Sequence, residues 1–129
     1  MIVVDASAAI ELLLNTAAGI RISARLLSSG ETLHAPHLID LEVAQVLRRY
    51  ARSGEPNVGR GAQALDDLAD LAINRYPHDV LLPRIWELRD SVTAFDAAYI
   101  ALAEALDAPL VTRDSSLASA RHRARVEVV

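Results

Sequence analysis

The chain has no cysteine, which removes disulfide staples, thiolate metal sites and cysteine nucleophiles, and fits a reducing compartment. It has no lysine either: all 13 basic residues are arginine. Schiff-base chemistry, a phosphate-loop lysine and any acid-cluster enzyme that needs a lysine partner are thereby excluded. No GxGxxG or phosphate-loop spacing occurs, no apolar run approaches the ~18 residues of a membrane span, and the start lacks the basic segment of a signal peptide. The expectation is a cytoplasmic protein with no membrane contact. The net charge of -4 argues against gripping nucleic acid by bulk positive potential, but a bound divalent cation or a local arginine cluster reverses the sign within a cleft.

What is present suits one domain over residues 1–129, with 52% hydrophobic residues to fill its core. Short apolar runs alternate with helical periodicity. The runs are expected as strands near 2–4, 32–35, 79–82, 110–112 and 125–129. Helices are expected over 6–14, 19–28, 38–52, 58–74, 83–88, 93–106 and 115–120, with a turn at Ser53-Gly54-Glu55-Pro56-Asn57. On 38–52, Ile39, Val43, Val46, Leu47 and Tyr50 form an apolar face with Glu42 at its border. On 93–106 the stripe is Phe95, Tyr99, Leu102 and Leu106. This alternation predicts an α/β fold, a parallel sheet with helices on both faces.

Four acidic residues stand out against that frame. Asp5 and Asp114 each close a short apolar run just before a helix, Asp96 interrupts a nearly all-apolar helix, and Glu42 borders an apolar face. Each has an ordinary explanation: Asp5 and Asp114 as helix caps, Thr93-Ala94-Phe95-Asp96 as a capping box, Glu42 as a solvated side chain. Together they suggest more, because ligands of parallel sheets collect beyond the carboxyl ends of the strands. Two unit charges about 4 Å apart repel by roughly 4 kcal/mol at an effective dielectric near 20, so crowded carboxylates need a cation or raised pKa values. Oxygen ligands without thiolate or histidine favour Mg²⁺ or Mn²⁺, which orient water and stabilise charge on a phosphoryl group. The expected reaction is metal-dependent phosphodiester hydrolysis.

Weaker candidates are His34 and His37, split by Pro36, as metal ligands, and Ser7 and Thr112 as hydrogen-bond support beside the Asp5 site. Arg48, Arg49 and Arg52, or Arg121, Arg123 and Arg125, are candidate contacts for phosphates or an acidic partner, or simply solvated charge.

The ordered set Val3-Val4-Asp5-Ala6-Ser7, Ala35-Pro36-His37-Leu38 with Leu41-Glu42-Val43, Phe95-Asp96-Ala97-Ala98-Tyr99, and Pro109-Leu110-Val111-Thr112-Arg113-Asp114 resembles the PIN-domain ribonucleases, and within them the VapC-type toxins of type II toxin-antitoxin pairs. The resemblance spans essentially the whole chain. It implies a single-domain α/β/α sandwich, Mg²⁺- or Mn²⁺-dependent endoribonuclease activity on RNA, a cognate VapB-type antitoxin and a homodimer. Carried over by motif, Asp5, Glu42, Asp96 and Asp114 are the catalytic and metal-binding set. Two other classes compete: a non-catalytic binding module on the same fold, and a phosphoacceptor receiver domain, which looks for a lysine that this chain lacks. A haloacid-dehalogenase-like phosphatase would want a second aspartate where Ser7 stands.

Overall fold

Ile2–Val4 (β1) is a three-residue strand buried throughout, and everything else is placed around it. In the computed structural model, which describes residues 1–54 and 60–129, β1 pairs in parallel with Leu33–Pro36 (β2) on one side and Leu110–Thr112 (β4) on the other. Ile73–Tyr76 (β3) and Val126–Val128 (β5) form the edges, giving a five-stranded parallel sheet in the order β3-β2-β1-β4-β5. The three inner strands are buried at every position, as expected where a parallel sheet is covered on both faces, while the edge strands are not.

The helices are Ala6–Leu13 (α1), Ala17–Leu26 (α2), Leu38–Ser53 (α3), Gly61–Asp70 (α4), Leu82–Glu87 (α5), Ala94–Leu106 (α6) and Ser116–Ser119 (α7). Helices α1 to α4 pack on one another, α5 packs on α6, and α6 rests on β1, β2 and β4, completing an α/β/α sandwich. Ala97 to Ala103 of α6 are buried without interruption, and four of those seven residues are alanines, which let the helix lie close to the sheet. Its polar outlier Glu104 is clamped by Arg84 of α5 at 2.8 and 3.0 Å and by the Arg123 amide at 2.8 Å. No helix of the described residues is long and apolar enough to cross a membrane.

Several expectations need correction. The strand expected at 79–82 is a 3-10 turn, Asp79–Leu81, and the strand is instead Ile73–Tyr76, whose first two residues fall at the end of the stretch expected to be helical. Asn74 and Arg75 have little intrinsic taste for a strand, and partners outside the segment hold them there. The Asn74 amide donates to Leu33 O at 3.2 Å, Arg75 makes a bidentate pair with Asp40, and Tyr76 shares a 2.7 Å hydrogen bond with His34 Nδ1. Pro36 ends β2 rather than stopping it earlier. Tyr50 and Phe95 are exposed, not core. The expected start of the fourth helix at Val58, and the turn residues Glu55, Pro56 and Asn57, lie outside the described residues.

The α1–α2 crossing depends on Gly19. A methyl group there would sit 2.1 Å from the Glu11 carbonyl oxygen and 2.8 Å from its carbon, both backbone atoms that cannot swing aside. Gly19→Ala should therefore destabilise the protein by about 1–3 kcal/mol despite alanine's better helix propensity. Urea unfolding followed by circular dichroism would show a lower midpoint; an unchanged midpoint would mean that the helices are free to separate.

Candidate active site

Strand order reverses direction at β1: β2 lies to one side and β4 to the other, and this switch leaves a crevice beyond the strand ends. Asp5 occupies it directly after β1, and Asp114 lies two residues past β4. Register aligns Val4 with Val111, so the residue after β1, Asp5, falls beside Thr112. Asp5 is only 6% exposed and Thr112 fully buried.

The contacts of Asp5 form a closed set. Ser7 Oγ donates to Oδ1 at 2.5 Å, Thr112 Oγ1 donates to Oδ2 at 2.5 Å, and the Ala8 amide donates to Oδ1 at 3.1 Å. Each hydroxyl also accepts from the loop after β4: Ser7 Oγ from the Arg113 amide at 2.9 Å, Thr112 Oγ1 from the Asp114 amide at 3.0 Å. Asp5 is thus both the cap of α1 and the centre of a network that fixes the loop carrying Asp114. Asp114 Oδ1 in turn accepts from the Ser116 amide at 2.9 Å. Capping and placement at the crevice thus coincide at Asp5.

A cavity of about 770 Å³ opens over these residues and is lined by all four acids together with Ser7, Phe95 and Tyr99. Burial raises the pKa of Glu42; the Tyr99 hydroxyl partly offsets this, and the charges of Asp96 and Asp5 add to it. Burial likewise raises Asp96, followed by the Asp114 charge, with Thr93 opposing and Asp5 contributing. Glu42 Oε1 and the Tyr99 hydroxyl are both buried with no hydrogen bond of sound geometry, although they lie close enough to influence each other. Thr93 caps α6 through the Asp96 amide at 3.2 Å, and the Asp96 carboxylate is left facing the cavity.

The donor set suits a hard divalent cation: carboxylates only, mutually repelling, with one buried oxygen lacking a partner. Among the described residues no three acids or histidines already stand as a finished cage, so the carboxylates would draw together as an ion entered. The histidine pair is not part of the site. His34 is buried and bonded through both ring nitrogens, to Thr32 and Tyr76 at 2.7 Å each, and burial lowers its pKa.

One group at the site is missed by the sequence reading, and two of the arginines it names as candidate phosphate contacts line the cavity. Tyr99 was placed with the core, yet it follows Asp96 by three residues and so shares its helical face. Arg48 and Arg49 line the cavity mouth, and Arg49 follows Glu42 by seven residues, two turns along the same face of α3.

The raised pKa of Glu42 carries a sign. A carboxyl whose folded pKa lies above its unfolded value contributes stability below the unfolded value and loses it as pH rises through the folded one, so ionised Glu42 is a cost at neutral pH. Glu42→Gln should raise the metal-free melting temperature by roughly 2–4 °C at pH 7.5. The gain should disappear as pH falls below the ordinary carboxylate range. A lower melting temperature at pH 7.5 would mean that Glu42 is compensated within the fold.

A parallel switch-point sheet with four carboxylates at one crevice defines a class of acid-cluster nuclease folds, and the PIN domain pattern matches residues 2–122: the chain belongs to the PIN-domain family. Over 117 residues it is 49% identical to ribonuclease VapC9 of Mycobacterium tuberculosis, covering 91% of this chain and 88% of that one. PAE2754 from Pyrobaculum aerophilum superposes with a TM-score of 0.73 at 26% identity, over 98% of this chain and 83% of that one. VapBC2 from Rickettsia felis, solved bound to a DNA fragment from its promoter, shares the fold with a TM-score of 0.72 at 15% identity, over 98% of each chain.

Proposed function

We propose that this chain is the toxin of a type II toxin-antitoxin pair, an endoribonuclease that hydrolyses RNA phosphodiester bonds with Mg²⁺ or Mn²⁺ held by Asp5, Glu42, Asp96 and Asp114, and that residues 1–129 act as one cytoplasmic PIN domain. The observation that carries the reading is the convergence of four acids from separate segments on one cavity, with Glu42 Oε1 buried and unpartnered. The kinship with VapC ribonucleases supports it.

A divalent cation in such a site supplies charge neutralisation for the attacking and leaving oxygens of an in-line displacement. The chain's own part is to hold the ligands and to place the substrate. Ser7 and Thr112 fix both oxygens of Asp5, while Asp96 and Glu42 reach in from α6 and α3. Arg48 and Arg49 at the mouth give an acidic protein its local attraction for phosphate. The same cavity has apolar walls, including Ile10, Leu38 and Leu41, suited to an apolar segment of a VapB-type antitoxin. A homodimer belongs to the same reading, and the exposed Ile20 within α2 and Leu27 just past its end offer apolar area for it.

Purified protein should cleave RNA when supplied with Mn²⁺ or Mg²⁺ and stop when EDTA is added. Cleavage that continues unchanged in EDTA would overturn the metal assignment. Absence of cleavage across single-stranded and structured RNAs, with metal present, would leave a binding module on this fold as the better account.

A further inference from the structure

Asp96 is shared by two cavities. Beyond the acidic one lies a second, of about 720 Å³, whose walls include Arg89, Asp90, Ser91, Thr93, Ser116 and Ser119. Its character differs from the first. The first is largely apolar around its acids, whereas the second mixes four hydroxyl side chains with two carboxylates, Asp90 and Asp96, and a single guanidinium. Hydroxyls and a guanidinium beside a carboxylate cluster suit a hydrated ribose-phosphate better than an apolar side chain.

Arg89, one of its lining residues, lies over the ring of Trp86, which is outside the lining, 4.6 Å from the centroid, and donates to the Trp86 carbonyl at 2.8 Å. Trp86 is 67% exposed, and Arg89 has no carboxylate partner among the described residues. An exposed indole carrying a guanidinium presents the two things a single strand needs: a stacking surface and a phosphate donor. Asp90 beside Arg89 repels a phosphate, so any strand seated here depends on the arginine.

We infer that this cleft is the seat of the RNA nucleotides flanking the scissile phosphate. Arg89 takes a backbone phosphate, Trp86 stacks an unpaired base, and the bond to be cut lies over Asp96. Recognition of this kind selects single-stranded segments, because a duplex keeps its bases from the indole. The inference rests on the ribonuclease reading and extends it to the substrate.

Trp86 is the only tryptophan of the chain, so its fluorescence reports the stacking directly. The experiment titrates a single-stranded oligoribonucleotide into the intact protein in EDTA, recording tryptophan emission and the anisotropy of labelled RNA together. The expected result is saturable quenching that tracks binding, with little from a blunt RNA duplex. In the anisotropy assay Trp86→Ala should weaken binding about 5- to 150-fold. Arg89→Gln should weaken it as well and flatten the dependence of log K on log salt by about 0.7. Asp90→Asn should do the opposite and tighten binding. All three side chains are exposed, so the variants should melt near the parent temperature.

RNA that binds with no change in emission, and with the same affinity in Trp86→Ala and Arg89→Gln, would overturn the inference and leave the ribonuclease reading standing. RNA that is neither bound nor cleaved with metal present would overturn both.

Discussion

The Asp5→Asn protein should cleave RNA slower than the parent by on the order of 10²–10³ or more, while melting within a few degrees of it. The two halves of that result have different physical origins. Asparagine caps a helix about as well as aspartate, so its side-chain oxygen can still accept from the Ala8 amide and from Ser7 Oγ. Shape and most hydrogen bonds survive. What disappears is the negative charge and the acceptor at Oδ2, to which Thr112 donates from a fully buried position. The Thr112 hydroxyl can turn to accept from the new amide, at the cost of reorienting the network that holds Asp114. A divalent ion held by the four acids would lose one charged ligand of a set that is repulsive without it, which would leave transition-state charge less neutralised. Single-turnover rates at saturating Mn²⁺, with thermal melts of both proteins, check this. A rate within threefold of the parent would reduce Asp5 to a helix cap.

The capping and catalytic explanations of Asp5 and Asp114 looked like rivals in the sequence because each motif is local, and a cap needs no more than its own helix. In the fold capping does not compete with a place at the crevice: Asp5 directly follows a central strand at the switch point and caps the next helix, while Asp114, two residues past β4, accepts from the Ser116 amide at the start of α7. That much was legible, since Ile2-Val3-Val4 and Leu110-Val111-Thr112 are short apolar runs ending at acids. The edge strand β3 was not, because Asn74 and Arg75 are held extended by Leu33 and Asp40, contacts that no local pattern encodes. Phe95 was read as core by helical spacing, but it sits in the first turn of α6, where the helix emerges at the cavity mouth. Tyr99 was read as core and is buried, yet its hydroxyl faces Glu42, and the partner of a buried hydroxyl cannot be read from one helix alone.

Thr112→Val should shift the Mn²⁺ concentration for half-maximal cleavage upward by about 10- to 100-fold, the usual consequence of removing a hydrogen bond behind a metal ligand. The substitution changes little in shape, and position 112 is fully buried, so the hydroxyl is what is tested. That hydroxyl donates to Asp5 Oδ2 at 2.5 Å and accepts from the Asp114 amide at 3.0 Å, which makes it the one atom joined to two of the four acids. Without it Asp5 is free to turn on the Ser7 side, and the loop bearing Asp114 loses its anchor on β4. Two polar groups then lose a partner, and stability should fall by about 1–3 kcal/mol as well. Stability loss alone would accompany any buried hydroxyl, so the metal titration is the discriminating measurement. A shift in half-saturating Mn²⁺, largely reversed in Thr112→Ser, identifies Thr112 as the residue that positions Asp5 and Asp114 for the ion. A lower melting temperature with an unmoved titration would mean that the two carboxylates reach the cation without its help.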